Sequence, residues 1–308
     1  MKKISEYNNF EEPGSALNFI SRVVRFIWLR TPSAITDLSI FRHIGKYFYN
    51  RFTKFQSRDQ SHSTWFLRNI PQTRVLGDLI IAKENSKKTL NIASIGCSTG
   101  AELYSNLFIL KDMCKGHQFI SVGVDISAGV VDIAKNGIYR SDKASSAGLG
   151  TYYEGEFELS HLNENNILEL FDIVESGYKI KPWISSDTKW LCMSASDSRL
   201  VTELGEQDIV FAKNFLGPMD SQFAEECFLN VLKLVKVGGY LIIDGVDLDV
   251  KCRVLSSINV TPILDNYKSI YHEDETKRGW PWVRWSHEPI DDSRIDWRIR
   301  YCSIFKVN

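Results

Sequence analysis

The stretch Leu90-Asn-Ile-Ala-Ser-Ile-Gly-Cys-Ser-Thr-Gly100 decides how the rest of the chain reads. Leu90 to Gly96 has the near-continuous apolar character of a strand buried on both faces. Gly100 to Cys114 then reads as a helix, so the two glycines sit in a tight turn between strand and helix. Such a turn suits a ligand: glycine lets the backbone approach closely, and the helix N-terminus favours negative charge. The spacing is GxxxG rather than GxGxxG, and Ser98 stands where a dinucleotide fold has the glycine that clears a pyrophosphate.

Outward from this turn the pattern repeats. Phe119 to Ile126 reads as a second strand, and Ser127 to Asn136 as a helix with Ser127 as its N-cap. Gln207 to Lys213, Gly239 to Val246 and Tyr301 to Val307 read as further strands, with a helix over Asp220 to Lys236. This alternation predicts an α/β fold, a parallel sheet with helices on both faces. Region 138–206 interrupts it and reads as a small inserted subdomain, with Gly177 to Lys181 as a short strand. Before the sheet the chain reads as helical: Ala16 to Arg30, Leu38 to Phe55, and parts of Trp65 to Ile81 interrupted near Pro71. A polar loop is read at 56–63 and a charged link at 83–88. The expected organisation is a helical domain over 1–84 and a Rossmann-like domain over 85–308.

Composition bounds the function. The chain has 308 residues and a net charge of -1, so it is no general nucleic-acid binder. Residues 1–84 hold thirteen Lys/Arg against seven Asp/Glu, a net of +6. That basic module faces either solvent or an acidic partner. Six scattered cysteines, with no CxxC and no Cys/His cluster, argue against zinc and against a disulfide scaffold, and no metal is expected. No signal peptide or membrane span is read, and the cytoplasm is the expected location. Phe19 to Leu29, broken by Arg22 and Arg25, reads as a core-packing helix, with a membrane-surface helix as the other reading.

Four positions carry the ligand argument. Gly96, Ser98 and Gly100 form the turn. Asp125 ends the second strand, where a carboxylate can take both hydroxyls of an adenosine ribose or cap the next helix. Asp197, ahead of the third of these strands, reads as a partner for an adenine amino group or as a solvated loop residue. Lys213 and Asn214 end that strand, at the edge where open α/β sheets bind ligands. Adenosylmethionine has no pyrophosphate, so the looser glycine turn is compatible with it.

Together these residues resemble the chemotaxis receptor methyltransferases, the CheR-like family that methylates glutamate side chains. Gly96-Cys-Ser-Thr-Gly-Ala-Glu-Leu-Tyr-Ser105 is similar to that family's GCSTGEEPYS signature. Val124-Asp-Ile-Ser127, Ala134-Lys-Asn-Gly-Ile-Tyr-Arg140, Asp208 to Asn214 and Val237-Gly-Gly-Tyr-Leu241 continue the resemblance, and Ser63-Thr-Trp-Phe-Leu-Arg68 resembles its T-x-F-F-R element. It covers roughly residues 40–245. It implies a class I methyltransferase sheet, S-adenosylmethionine as cofactor and S-adenosylhomocysteine as product. It implies that Thr64 and Arg68 reach the cofactor, that Glu102 and Asp125 contact it, that Asp197 and Ser198 lie near the adenine, and that Lys213 and Asn214 line the site. Arg68 can also hold a methionine carboxylate bidentately, or make a surface salt bridge.

The chain departs from the family at His62, Ala101, Leu103 and Lys213, and Pro218 stands where the family has a tyrosine near the transferred methyl. Beyond about Lys251 no resemblance is found. There Gly279-Trp-Pro-Trp-Val-Arg-Trp285 and Asp296-Trp-Arg-Ile-Arg300 read as core packing or as a cation–π substrate surface. A carboxylate acceptor needs no general base. For another acceptor Asp244, Asp247, His272 or His287 are the candidates, and no catalytic residue is assigned. The expected acceptor is a protein carboxylate. A small molecule or glycan acceptor, and a non-catalytic module that binds the cofactor, are the alternatives.

Overall fold

The computed structural model describes residues 15–52, 62–83, 88–140, 159, 162–273, 280–282 and 285–308. The loop read at 56–63, the link at 83–88, residues 141–158 of the insert, and Gly279, Val283 and Arg284 lie wholly or partly outside them.

Four helices come first: α1 (Ser15–Arg30), α2 (Ser33–Thr36), α3 (Ser39–Phe52) and α4 (Ile70–Ile81). Pro71 does not interrupt α4; it stands in the first turn, where a proline loses no hydrogen bond. Next come β1 (Thr89–Ile95), α5 (Ala101–Met113), β2 (Gln118–Asp125), α6 (Ala128–Asn136) and β3 (Ile138–Tyr139). After residues 141–158 follow α7 (Glu164–Leu170), β4 (Phe171–Val174), β5 (Gly177–Ile180), α8 (Pro182–Ser185) and β6 (Thr188–Cys192). Then come α9 (Leu200–Leu204), β7 (Gln207–Lys213), α10 (Ser221–Leu232), β8 (Val235–Asp244) and α11 (Leu248–Ser256). The chain finishes with β9 (Val260–Pro262), α12 (Tyr267–Glu273), α13 (Trp297–Tyr301) and β10 (Ile304–Val307).

The main sheet has seven strands in the order β6-β2-β1-β7-β8-β10-β9. β6, β2, β1, β7 and β8 run parallel, and β10 is antiparallel to both β8 and β9. This is the α/β sheet with helices on both faces that the strand–helix alternation predicts. Alternation along the strands builds two cores. Ile92, Ile209, Phe211 and Ile242 face one cluster, with Leu76 of α4 and Leu107 of α5. Ala93, Val210, Ala212 and Ile243 face the other, with Phe228 of α10 and Val254 of α11.

Two differences from the sequence reading matter. The insert ends earlier than expected, because β6 belongs to the main sheet, and among the described residues β3, β4 and β5 form the separate antiparallel sheet. The last strand is also shorter than read, since Tyr301 ends a helical turn.

The Trp-rich C-terminal segment is largely core. Trp280, Trp282 and Trp285 are buried with Trp28 of α1 and Tyr49 of α3. The Trp282 ring stacks on Phe48 at 5.5 Å, and Trp280 lies 5.4 Å from Trp28. Gly45 of α3 is needed here, because a Cβ would stand 2.6 Å from the Trp280 ring. A charged network flanks these rings. Arg300 pairs with Asp249, Glu288 and Asp296, Arg42 pairs with Asp291, and Lys46 pairs with Asp249. The helices α1 and α3 are thus fastened to the C-terminal segment.

Candidate functional site

Between β1 and β7 the strand order reverses, and the carboxyl ends of the parallel strands open on one edge of the sheet. Ligands bind in this crevice in open α/β folds. The Gly96–Gly100 turn, Asp125, Lys213 and Asn214 stand at these strand ends.

The turn after β1 has three left-handed residues: Gly96 at φ 71°, Ser98 at φ 50° and Gly100 at φ 84°. Ser98 holds a conformation that a non-glycine residue rarely adopts, so something must stabilise it. Its amide donates to Asp125 Oδ2 at 2.8 Å, and its hydroxyl donates to the His62 carbonyl at 2.7 Å. Asp125 is only 8% exposed, and its Oδ1 accepts the Ser127 amide at 3.0 Å. The carboxylate, not the Ser127 side chain, serves the entry to α6, because Ser127 makes no cap hydrogen bond. The two readings of Asp125 are therefore compatible: it braces the turn and the next helix, and a carboxylate oxygen can accept more than one donor.

The helical approach to the sheet meets the same turn. His62 touches it through its carbonyl, and the Leu67 amide donates to Ser105 Oγ in α5 at 2.8 Å. Thr64 and Arg68 are both buried, and the Arg68 guanidinium lies 4.0 Å from the centre of the Trp65 ring. From the other side, the Tyr139 hydroxyl donates to the Thr99 carbonyl at 2.7 Å. The glycine-Ile-Tyr-Arg segment thus holds the turn from the small sheet. Trp190 of β6 lies beneath it: a Cβ on Gly100 would stand 2.6 Å from that ring, and one on Gly123 would run into it.

At the end of β7, the Lys213 ammonium is buried and lies 3.3 Å from Glu102 Oε2, in the first turn of α5. That contact lacks hydrogen-bond geometry, and the Nζ is without a hydrogen-bond acceptor. Asn214 follows at φ 63°, its amide bound to the Asp244 carbonyl at 2.9 Å. Phe215 covers the glycine turn, so closely that a Cβ on Gly96 would stand 2.7 Å from its Cγ.

Asp197 and Ser198 lie on the loop after β6, which starts beside Asp125 through a 2.9 Å bond from the Met193 amide to the Asp125 carbonyl. Asn230 of α10 holds this loop through the Ala195 and Asp197 carbonyls. The Asp197 carboxylate is taken by the Arg199 guanidinium, whose hydrogen bonds bring its pKa down to about 2. Ser198 is exposed.

Two contributors escape sequence reasoning. Ile126, directly after Asp125, is 55% exposed and offers an apolar surface beside the carboxylate. Tyr139 acts through the turn rather than from within it. The candidate bases have other tasks. Asp247 caps α11, Asp244 accepts the Gly245 amide, His287 is buried in the C-terminal segment and His272 is exposed. Pro218 is exposed and carries no hydroxyl. Among the described residues no group of His, Cys, Asp and Glu could hold a metal, and the six cysteines are free thiols. No helix among them is long and apolar enough to cross a membrane.

Comparison with known proteins agrees with this geometry. Residues 62–248 match the family model described as "CheR methyltransferase, SAM binding domain". The probable biofilm formation methyltransferase WspC of Pseudomonas aeruginosa is 26% identical over 204 residues, 65% of this chain and 44% of that protein. Chemotaxis protein methyltransferase 1 of the same organism is 27% identical over 194 residues, 59% of this chain and 64% of that one. The chemotaxis protein methyltransferase of Campylobacter jejuni is 24% identical over 215 residues, 67% of this chain and 72% of that one. The chain thus spans less than two thirds of the two Pseudomonas aeruginosa relatives. The family model itself takes in more than half of the 308 residues, from the segment that meets the glycine turn to the start of α11, and on that ground the chain belongs to the CheR methyltransferase family.

Proposed function

We propose that this chain is an S-adenosylmethionine-dependent methyltransferase whose acceptor is a carboxylate, the glutamate side chain of a protein being the first choice. The observation that carries the cofactor is the buried Asp125 carboxylate at the tip of β2, bound to the glycine turn at 2.8 Å. The residues fit adenosylmethionine on chemical grounds. Asp125 would accept from the ribose hydroxyls, and Ile126 would cover an adenine face. Lys213, a buried cation with unfilled donors, suits the methionine carboxylate, with Arg68 as a second candidate. Thr64, Gly96, Ser98, Gly100, Glu102 and Asn214 would complete the pocket. Asp197 is already held by Arg199, which leaves its loop, with Ser198, as the adenine contact.

Bound adenosylmethionine supplies an electrophilic methyl group on a sulfonium. The chain's own part is to position the acceptor in line and to keep water away. The occupied state of Asp244 and Asp247 supports an acceptor that is already ionised, because such a nucleophile needs no proton removed. Pro218, which brings no hydroxyl to the site, favours a second reading in which the acceptor is a small molecule or glycan. A non-catalytic module that only binds the cofactor is the third. Following the printed names of the relatives, a chemotaxis-type protein acceptor is the first to test, in the cytoplasm.

Titration calorimetry with adenosylmethionine and adenosylhomocysteine tests the cofactor, and Asp125→Ala is expected to abolish binding. Transfer of a labelled methyl to acceptor protein, released by mild base as methanol, is the signature of a carboxyl ester. Binding with no transfer to any acceptor would leave the third reading. No binding would remove all three.

A further inference from the structure

Helix α1 packs with one side and leaves the other bare. Trp28 is buried and Val24 packs beside it, against the aromatic cluster of the C-terminal segment. At 100° per residue, Phe19, Ile20, Val23, Phe26 and Ile27 fall on an arc of about 120° that adjoins this packed side. Phe19 is 70% exposed, Ile27 60% and Phe26 56%. The core reading of Phe19 to Leu29 thus holds only for the inner face. Helix α3, which packs on Trp28 through Phe41 and Phe48, has an exposed apolar stripe of its own in Ile40, Ile44 and Tyr47, at helical spacing. The apolar face of an amphipathic helix is normally buried, and on α1 this part of it is not.

Charge says what covers it. From Ser15 to Phe52 the sequence has six Lys/Arg and one acidic residue, Asp37; Arg42 and Lys46 are paired with Asp291 and Asp249, which leaves Arg22, Arg25, Arg30 and Arg51 as the surplus cations. Helix α1 has no acidic residue, and Arg22 and Arg30 stand exposed at the edge and in the middle of the apolar arc. The Arg30 guanidinium lies over the Phe26 ring at 3.4 Å. A second copy of the chain on this face would bring arginines against arginines with no carboxylate on either α1 to pair them. An anionic lipid surface supplies both missing halves, phosphate and carboxylate headgroups for the arginines and an acyl boundary for the apolar side chains. The sixteen residues of α1 give a helix about 24 Å long, suited to lie in the interface and too short and too charged to cross it.

We propose that the outer face of α1 is a peripheral binding surface for anionic membranes. This does not depend on the methyl-transfer reading. The test is flotation of the whole protein with phosphatidylcholine vesicles, with and without phosphatidylserine, beside sedimentation analysis of its oligomeric state. Binding should require phosphatidylserine and weaken with salt. Phe26→Ser/Ile27→Ser should abolish it. Arg22→Ser/Arg30→Ser should weaken it by roughly fivefold for each arginine. Both variants should keep the wild-type melting curve, since the replaced side chains are exposed. A wild type that ignores the vesicles, or binding that survives Phe26→Ser/Ile27→Ser, overturns the proposal. So does a vesicle-independent dimer that Phe26→Ser/Ile27→Ser dissociates, and so does a protein ligand that occupies this face while vesicles do not.

Discussion

The hydroxyl of Tyr139 donates to the carbonyl of Thr99 at 2.7 Å and so ties the small antiparallel sheet to the glycine turn. Both residues are buried, so Tyr139→Phe removes a hydrogen bond that bulk water does not replace. Such a loss costs about 1–3 kcal/mol. Urea unfolding should show that cost, and calorimetry should show weaker adenosylmethionine binding with unchanged stoichiometry. An unchanged affinity would mean that the turn keeps its shape without this bond.

The Lys213–Glu102 pair should behave as a buried ion pair. Glu102→Gln strands the ammonium and should cost about 3–5 kcal/mol, whereas Glu102→Gln/Lys213→Met should recover most of that loss. A double-mutant cycle by thermal melting measures the difference. A double variant whose destabilisation equals the sum of those of Glu102→Gln and Lys213→Met alone would show that the two side chains act independently.

Gly123 and Trp190 share one space in β2 and β6. Gly123→Ala forces the indole to move and should cost about 1–3 kcal/mol, because overpacking strains the neighbours. Gly123→Ala/Trp190→Phe should return part of it, as read from the urea midpoint.

Acid should loosen the C-terminal segment. Asp296 is held below the usual carboxylate range: burial raises its pKa, but hydrogen bonds from Arg294 and Arg300 and their charge outweigh it. Asp291 and Asp292 are lowered too, chiefly by the Ser293 hydroxyl and by Lys268. A depressed carboxylate contributes stability that is present above its unfolded pKa of about 3.9 and is lost as pH falls through the folded value. Glu288 acts the other way, since burial raises its pKa above the ordinary glutamate range and Arg300 only partly offsets this. Urea midpoints taken from about pH 7 down to about pH 3 should fall most at the acid end, and Asp296→Asn should flatten that fall.

The central sheet is legible because β1, β7 and the second half of β2 are mostly buried on both faces and each strand ends at a turn or a charged residue. β6 is not, because Thr188-Lys-Trp-Leu-Cys192 is a half-exposed edge strand without an apolar run. Asp125 and Lys213 stood out as charged residues at strand ends. The support beneath them did not. Nothing local marks Ser98 for a left-handed conformation, since its two partners come from residues 62 and 125. Periodicity also shows that a helix has an apolar face without showing what covers it. Tryptophans 280, 282 and 285 lie more than 200 residues from the helices they pack on.

That packing has a consequence for where the molecule can be cut. The family match covers residues 62–248, and the parts on either side of it meet through Trp28, Tyr49, Trp280 and Trp285 and through Arg42–Asp291 and Lys46–Asp249. An expression clone trimmed to the matched span discards both halves of that clasp. One trimmed on a single side leaves a row of bare indoles or unpaired cations. Structurally the two flanks are one piece interrupted in sequence, and because the later one also carries β9 and β10 of the main sheet, both must be kept.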